Sequence, residues 1–205
     1  MAKLSRKEQE KLARKKDILD AAAVLFSEKD FHEVTVDEIA GRVGLSKGTI
    51  YLYFKNKDDI FFSIIEEKTK ILFSRLQSAM EGDRPYLEKL KKLIKSYLLF
   101  FEEHKSFFKI VHSEKGRIDT QVKGKMKKHM LDSFQAYISL LQDFVKEGQK
   151  QGILKNLPPL TLTKALKGFM DEFTFHWIFM GAEGSLSEET QSIVDLFLHG
   201  VGNKN

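Results

Sequence analysis

The chain has 205 residues, of which 42% are hydrophobic, and it carries a formal net charge of +5. It contains no cysteine, which excludes disulfides and thiolate chemistry and fits a reducing compartment. No apolar run approaches the roughly 18 residues that a membrane span needs, and the charged segment 1–16 lacks the apolar stretch of a signal peptide. We therefore expect one or two globular domains in the cytoplasm, with no membrane partner.

Charge is unevenly distributed over the N-terminal part of the chain. Segment 1–16 carries seven basic and two acidic residues, segment 17–45 carries seven acidic and two basic residues, and segment 46–57 carries three lysines and no acid. If the two positive segments meet in space, they form one basic face on an otherwise neutral small domain, as nucleic-acid binding requires. The same pattern also fits a solvated helix face with a flexible tail.

The apolar periodicity is helical nearly throughout, and no apolar–polar alternation is long enough to predict a strand. The predicted helices cover residues 6–28, 35–43, 46–54, 56–80, 86–103, 105–113, 120–151, 161–180 and 187–201. Ser187 is the expected N-cap of the last one. The predicted fold class is all-α, with about nine helices in total.

Two short helices joined by a tight turn stand near the N-terminus. Thr35 is an N-cap, and Glu38, three residues later, completes a capping box for the first of them. Gly44 supplies the left-handed residue that a sharp turn needs, and Ser46 caps the next helix at once. This is the pattern of a helix-turn-helix. Because such short helices are unstable alone, we expect them to pack on the first helix as a three-helix domain.

The outer face of the third helix has the chemistry that DNA recognition uses. The side chains of Ser46, Lys47, Thr49 and Tyr51 can donate hydrogen bonds to phosphates or base edges. Gly48 in the first turn costs helix stability, which is understandable if the N-terminus of the helix approaches a phosphate or a base closely.

The segment from Thr35 to Lys57 reads TVDEIAGRVGLSKGTIYLYFKNK. It resembles the signature of the TetR/AcrR family of transcriptional regulators, in a match over residues 16–64 that combines capping box, glycine turn, Ser-Lys-Gly-Thr, Tyr-x-Tyr-Phe and Asn-Lys in order. The resemblance implies a helix-turn-helix DNA-binding domain over residues 1–60. It also implies a helical-bundle domain for ligand binding and dimerisation over residues 61–205.

The resemblance further implies which residues touch DNA. Lys47, Gly48 and Thr49 are expected to approach bases. The expected phosphate contacts are Thr35, Tyr51, Tyr53 and Lys57. Leu52 could touch a thymine methyl or be unused. The basic tail before residue 16 could add phosphate contacts or enter a minor groove, but we favour a disordered tail that acts only through its charge.

The second domain is rich in aromatic residues, and the chain contains 17 Phe in all. Each one alone fits an ordinary core position, but together they also fit a mostly apolar cavity between helices. The pocket candidates are Phe101, Phe108, His112, Phe134, Tyr137, Phe169, Phe173, His176 and Trp177. Further polar candidates are Gln135, Asp171, Glu172 and Thr174. This composition favours a small hydrophobic or aromatic inducer over a sugar or nucleotide.

The family pairs the last two long helices of each subunit in a four-helix bundle, which implies a homodimer. Here the predicted helices 161–180 and 187–201 are apolar on more than one face, so they need cover both from their own core and from a partner. The interface candidates are Phe169, Met170, Trp177, Met180, Ile193, Val194, Phe197 and Val201.

The function implied by the resemblance is a ligand-responsive repressor whose homodimer binds a palindromic operator in double-stranded DNA and is released by the inducer. A rival hypothesis is a helical-bundle metalloenzyme using Glu172 and His176, but no second Glu-x-x-His copy and no phosphate loop or zinc motif is found. We expect no enzyme activity, no cofactor and no metal. A structural or partner-binding helical protein is the third alternative, and multidrug efflux and lipid metabolism are the two contexts left open.

Overall fold

The computed structural model describes residues 5–113, 125–181 and 183–200. Within these ranges the regular structure consists of nine α-helices and one 3-10 helix, with no strand, which confirms the all-α fold class. The helices are α1 (Arg6–Glu28), α2 (Val36–Arg42), α3 (Lys47–Tyr51), α4 (Lys57–Met80), α5 (Tyr86–Glu103), α6 (Lys105–Ser113), α7 (Lys125–Lys150), α8 (Pro159–Phe179) and α9 (Thr190–His199), with a 3-10 helix (Leu186–Glu189) before α9.

Several predicted helix boundaries differ from the structure. The helix predicted over residues 161–180 spans Pro159–Phe179, and the helix predicted over residues 187–201 spans Thr190–His199. The third helix ends at Tyr51 and not at residue 54. Its C-cap Leu52 keeps helical backbone angles, and the Leu52 N–H bonds the Thr49 carbonyl three residues back. The prediction of Ser187 as the N-cap of the last helix is wrong. The N-cap of α9 is Glu189, which makes no side-chain cap bond, and Ser185 caps the preceding 3-10 helix through its Oγ, which accepts from the Ser187 N–H. The predicted helical segment 120–124 lies outside the described residues.

The chain folds into two compact units, residues 1–68 with 106–126 and residues 69–105 with 127–205. The predicted boundary between residues 60 and 61 falls inside α4, which is one unbroken helix. The division also groups residues 106–113 with the N-terminal part of the chain, whereas we predicted that they belong to the second domain.

The first unit packs α2 against both α1 and α3. Ile18, Ile39 and Ile50, one from each helix, are completely buried. Phe26 and Phe61 join this core with their rings in edge-to-face contact, 5.3 Å between centroids. Apolar burial from all three helices is what makes these short elements stable together.

The basic N-terminal segment is helical from Arg6 onward, so the preference for a disordered tail is wrong for residues 6–16. Helix α1 begins with a capping box that we did not predict. The Ser5 Oγ accepts from the Glu8 N–H, and the Glu8 carboxylate accepts from the Ser5 N–H at 2.8 Å. These reciprocal bonds satisfy two backbone donors that otherwise lack partners at a helix start.

The predicted capping box of α2 is confirmed, and it gives Glu38 an unusually acidic carboxyl group. The Glu38 carboxylate accepts from the Lys29 ammonium at 2.7 Å and from the Thr35 N–H at 2.8 Å. These bonds, with the one from Lys29 contributing most, lower the pKa of Glu38 from 4.5 to about 2. Because the pKa is lower in the folded than in the unfolded protein, this stabilisation is present above pH 4.5 and is lost as the pH falls toward 2.

We therefore expect Glu38→Gln to lower the melting temperature at about pH 6, and the difference from wild type to shrink between about pH 4.5 and 2.5. The measurement is thermal unfolding by circular dichroism across this pH range. Glu10→Gln is the matched control, because Glu10 only forms an exposed ion pair with Arg6 one turn away. A difference for Glu38→Gln that stays constant with pH would contradict this assignment.

The second unit is organised around α5, which packs against α8, α9 and the 3-10 helix. Leu90, Ile94 and Leu98 on α5 are completely buried. At the C-terminal end of α5, the Glu102 carboxylate accepts from the Ser185 hydroxyl at 2.9 Å and from the Ser187 N–H at 3.3 Å. None of the helices in the described ranges is long and apolar enough to cross a membrane.

Candidate DNA-binding and ligand-binding sites

The first turn of α3 presents a polar surface built by its own N-cap. The Ser46 Oγ accepts from the Thr49 N–H at 3.2 Å and lies 2.9 Å from the Thr49 hydroxyl. Ser46, Lys47 and Gly48 are exposed, and Thr49 is half-buried. The cap therefore fixes the orientation of Ser46 and Thr49 at the surface, where two of the predicted base contacts, Lys47 and Gly48, also lie.

Lys47 forms an ion pair between α2 and α3. Its ammonium donates to the Asp37 carboxylate at 2.6 Å, and about half or more of each side chain is exposed. This hydrogen bond raises the pKa of Lys47, which keeps the ammonium charged. Exposed ion pairs contribute little to stability, so Lys47 can exchange Asp37 for a phosphate or a guanine at small cost.

Gly48 has no packing reason to be a glycine within its own unit. In the described structure, a Cβ built on Gly48 would meet only the Ser46 Oγ, at an ordinary contact distance of 3.8 Å. Alanine would therefore fit, and it would favour the helix by about 0.5–1 kcal/mol. The packing of this unit therefore does not require a glycine at position 48.

The remaining predicted phosphate contacts differ in their exposure to solvent. Tyr51 and Thr35 are exposed, and Tyr53 is half-buried. The Thr35 hydroxyl is engaged in the capping box with Glu38. Leu52, which had no assigned role, is 77% exposed next to Tyr51.

Lys57 binds backbone carbonyls of the first unit, so its ammonium does not project freely toward a phosphate. Its ammonium donates to the carbonyls of Phe31 at 2.6 Å, Val34 at 2.7 Å and His32 at 3.3 Å, and it lies 4.4 Å from the centre of the Phe31 ring. An ammonium group has three N–H donors, and these carbonyls can accept all of them. We therefore leave Lys57 out of the proposed DNA contacts.

The pocket candidates do not form one group. Phe101 and Tyr137 are buried in the second unit, where the half-buried members are Phe169, Phe173 and Trp177. Phe134, 53% exposed, and His176, also exposed, are not interior side chains there. Phe108 and His112 belong to the first unit and stack on each other with 4.1 Å between ring centroids.

A buried polar cluster in the second unit was only partly predicted. The Tyr97 hydroxyl donates to Asp171 Oδ1 at 2.5 Å, and the Lys167 ammonium donates to Asp171 Oδ2. The Asp171 charge also raises the pKa of Tyr137, after the larger effect of burial. Asp171 was one of the polar candidates, but Tyr97 was missed because its helical spacing is that of a core residue. The spacing of Lys167 and Asp171, four apart on an otherwise apolar helix, was the available signal.

The candidate residues of the dimer interface also differ in burial. Met170, Ile193 and Val194 are buried inside their own unit, so they are not available to a partner. The half-buried candidates are Phe169, Trp177 and Phe197. Met180 is 66% exposed, and Val201 lies outside the described residues. The apolar stripes of these helices correctly predicted that apolar side chains are buried there. They did not predict which of these side chains the subunit buries in its own core.

Two family models match consecutive parts of the chain. The model of bacterial regulatory proteins of the tetR family matches residues 18–64, the segment that holds the helix-turn-helix. The model of the C-terminal region of YsiA-like proteins matches residues 65–200. The chain belongs to the TetR family.

Relatives of this TetR-family regulator cover nearly its whole length. The fatty acid metabolism regulator protein of Bacillus subtilis (strain 168) is 26% identical over 188 residues, 91% of this chain and 95% of the relative. The HTH-type transcriptional regulator YhgD of the same organism is 31% identical over 165 residues, 80% and 84% of the two chains. The crystal structure of FadR from Bacillus subtilis in complex with stearoyl-CoA superimposes with a TM-score of 0.76 at 26% identity, covering 91% of this chain and 98% of that one.

The two residues of the rival metalloenzyme hypothesis lie on the surface of the described structure. Glu172 and His176 are both exposed on α8. No group of three or more His, Cys, Asp or Glu side chains among the described residues is placed to hold a metal ion. The relatives of this TetR-family regulator are named as regulators of transcription or metabolism.

Proposed function

We propose that this TetR-family regulator is a repressor whose homodimer binds a palindromic operator through α3, and that a long-chain acyl thioester releases it from DNA. The observation that carries the DNA-binding part is Gly48. Gly48 lies in the exposed first turn of α3 beside Lys47, and a glycine at this position lets the α3 backbone approach DNA closely.

The neighbours of Gly48 supply the polar contacts of the proposed interface. Lys47 reads a guanine edge or holds a phosphate after leaving Asp37, and Ser46 and Thr49 donate from the capped turn. Tyr51, exposed on the same helix, donates to a phosphate. Two such helices in a dimer need to lie roughly 34 Å apart to enter successive major grooves, which is why the operator is palindromic.

The proposed homodimer is supported by apolar side chains left uncovered at the C-terminal end of α8. Met180 and Phe179 are exposed there, and the Phe179 ring packs on Phe175 at 4.7 Å. Large apolar side chains at the end of a helix gain most when a second copy covers them. Phe169 and Trp177, half-buried on the same helix, remain candidates for the rim of that interface.

The proposed ligand class rests on Bacillus subtilis matches that align with nearly the full chain, a curated sequence and a crystal structure. The sequence is named for the regulation of fatty acid metabolism, and the structure is that of FadR in complex with stearoyl-CoA. Both are 26% identical to this chain. A ligand of this class would release DNA only if it binds better to a state whose α3 helices are out of register. Helix α4, which begins shortly after α3 and belongs to both units, is the proposed carrier of that change.

Footprinting on DNA upstream of the protein's own gene, and selection from random genomic fragments, test the DNA-binding part. We expect protection of a near-palindrome, with affinity that falls steeply as salt rises. Lys47→Ala should weaken binding by about 10- to 100-fold, the value of one lost base or phosphate contact. Gly48→Ala should weaken it about tenfold while leaving the melting temperature unchanged or higher.

The matched control is Lys91→Ala, which removes an exposed lysine of the second unit and should leave operator affinity unchanged. Gly48→Ala with wild-type affinity would remove the main support for the α3 interface. Added stearoyl-CoA is expected to release the wild-type protein from DNA. Release by no acyl thioester of any chain length would reject the proposed inducer and leave the DNA-binding part standing.

A further inference from the structure

The buried polar cluster of the second unit brings together side chains from three helices: Tyr97 on α5, Tyr137 on α7, and Lys167 and Asp171 on α8. Tyr97 is buried, and its ring packs on Phe101 with 4.8 Å between centroids. The cluster is therefore a polar group set among aromatic side chains, which is the usual composition of a small-molecule site between helices.

Most hydrogen-bonding capacity in this cluster is used internally. One Asp171 oxygen accepts from Tyr97 and the other accepts from Lys167, so the carboxylate and the ammonium form a neutral pair. The Tyr137 hydroxyl is the exception, because no described atom serves as its hydrogen-bond partner although the residue is only 8% exposed. A buried donor without an acceptor destabilises a fold, and phenylalanine at this position would avoid that penalty.

The Tyr137 hydroxyl can donate a hydrogen bond to a ligand. Burial, and after it the negative charge of Asp171, raise the pKa of Tyr137, so its hydroxyl stays protonated. The pKa of Tyr97 is raised by the same two causes in the same order. A ligand group with a hydrogen-bond acceptor can therefore take the O–H that Tyr137 leaves unused.

We propose that the Tyr137 hydroxyl, buried and without a described partner, donates a hydrogen bond to the acyl carbonyl of the ligand. This inference rests on the proposed function, because it names the atom of the proposed inducer that the site reads.

The test compares two ligands that differ at one functional group: stearoyl-CoA and its thioether analogue S-octadecyl-CoA. Affinities are measured by isothermal titration calorimetry on the full-length protein. Wild type should bind the thioester about three- to tenfold more tightly than the thioether, as one hydrogen bond to a neutral group allows.

Tyr137→Phe should bind the thioester and the thioether equally, with a melting temperature equal to or above that of wild type. Tyr86→Phe is the matched control, because the Tyr86 hydroxyl is also buried without a described partner but packs against Gly148. It should keep the preference for the thioester. A preference that persists in Tyr137→Phe, or disappears in Tyr86→Phe, would overturn the assignment.

The outcomes also separate this inference from the proposed function. Equal binding of thioester and thioether to wild type would overturn the role of Tyr137 alone and leave an acyl-CoA regulator in place. Failure of both to bind wild type would overturn the proposed inducer, and the role of Tyr137 with it.

Discussion

Gly148→Ala is expected to lower the free energy of unfolding by about 3 kcal/mol, the upper part of the usual range for overpacking a core. A Cβ built at Gly148 would lie 2.4 Å from Cζ, 2.6 Å from Oη and 2.8 Å from Cε1 of Tyr86. The ring has little room to move, because Tyr86 is buried and stacks on Phe144 with 4.6 Å between centroids. The clash therefore reverses the sign that a glycine-to-alanine change within a helix ordinarily has.

The measurement is urea unfolding followed by circular dichroism, with Gly41→Ala as the matched control. Gly41 is also a helical glycine, but a Cβ at this position would have no atom of the described chain within 4 Å, apart from its own helix backbone and chain neighbours. We expect Gly41→Ala to be neutral or stabilising. In a Tyr86→Leu background, which removes the ring, Gly148→Ala should cost much less. Wild-type stability of Gly148→Ala would mean that the Tyr86 ring shifts freely.

Lys57→Met is expected to destabilise the protein by about 2–3 kcal/mol, because it removes the common partner of several backbone carbonyls. The shortest bonds are those to Phe31 and Val34, at 2.6 and 2.7 Å. Methionine keeps most of the side-chain length, but it offers no N–H and loses the ammonium over the Phe31 ring. The loop between α1 and α2 is then left with carbonyls whose acceptor capacity is unmet.

Thermal and urea unfolding measure this effect, with Lys55→Met as the control. Lys55 is exposed on the same segment, so its replacement should change stability little. A lysine that served only as a phosphate contact would behave in the opposite way. Its loss would leave the melting temperature unchanged and reduce the salt dependence of DNA binding by about one unit. That result for Lys57→Met would restore the role that the sequence predicted for it.

The helix-turn-helix could be predicted because its determinants are local. The α2 capping box joins Thr35 and Glu38, three residues apart, and the turn needs only the positive φ of Gly44, which is 66°. The bounds of α1, α5 and α6 were predicted correctly for the same reason, since apolar periodicity and breakers lie within a few residues of each helix end. The polar surface of the first α3 turn also follows from a local cap at Ser46.

Long-range packing decided the features that the sequence did not determine. An apolar stripe on a helix predicts that the stripe is covered, but it does not distinguish Met170 in the subunit's own core from exposed Met180. The role of Lys57 depends on carbonyls more than twenty residues earlier in the chain. The bond between Tyr97 and Asp171 joins residues 74 positions apart, and only the packing of α5 on α8 brings them together. Sequence alone therefore determined the elements and the DNA-reading motif, whereas the tertiary structure decided which side chains are buried and which polar groups meet.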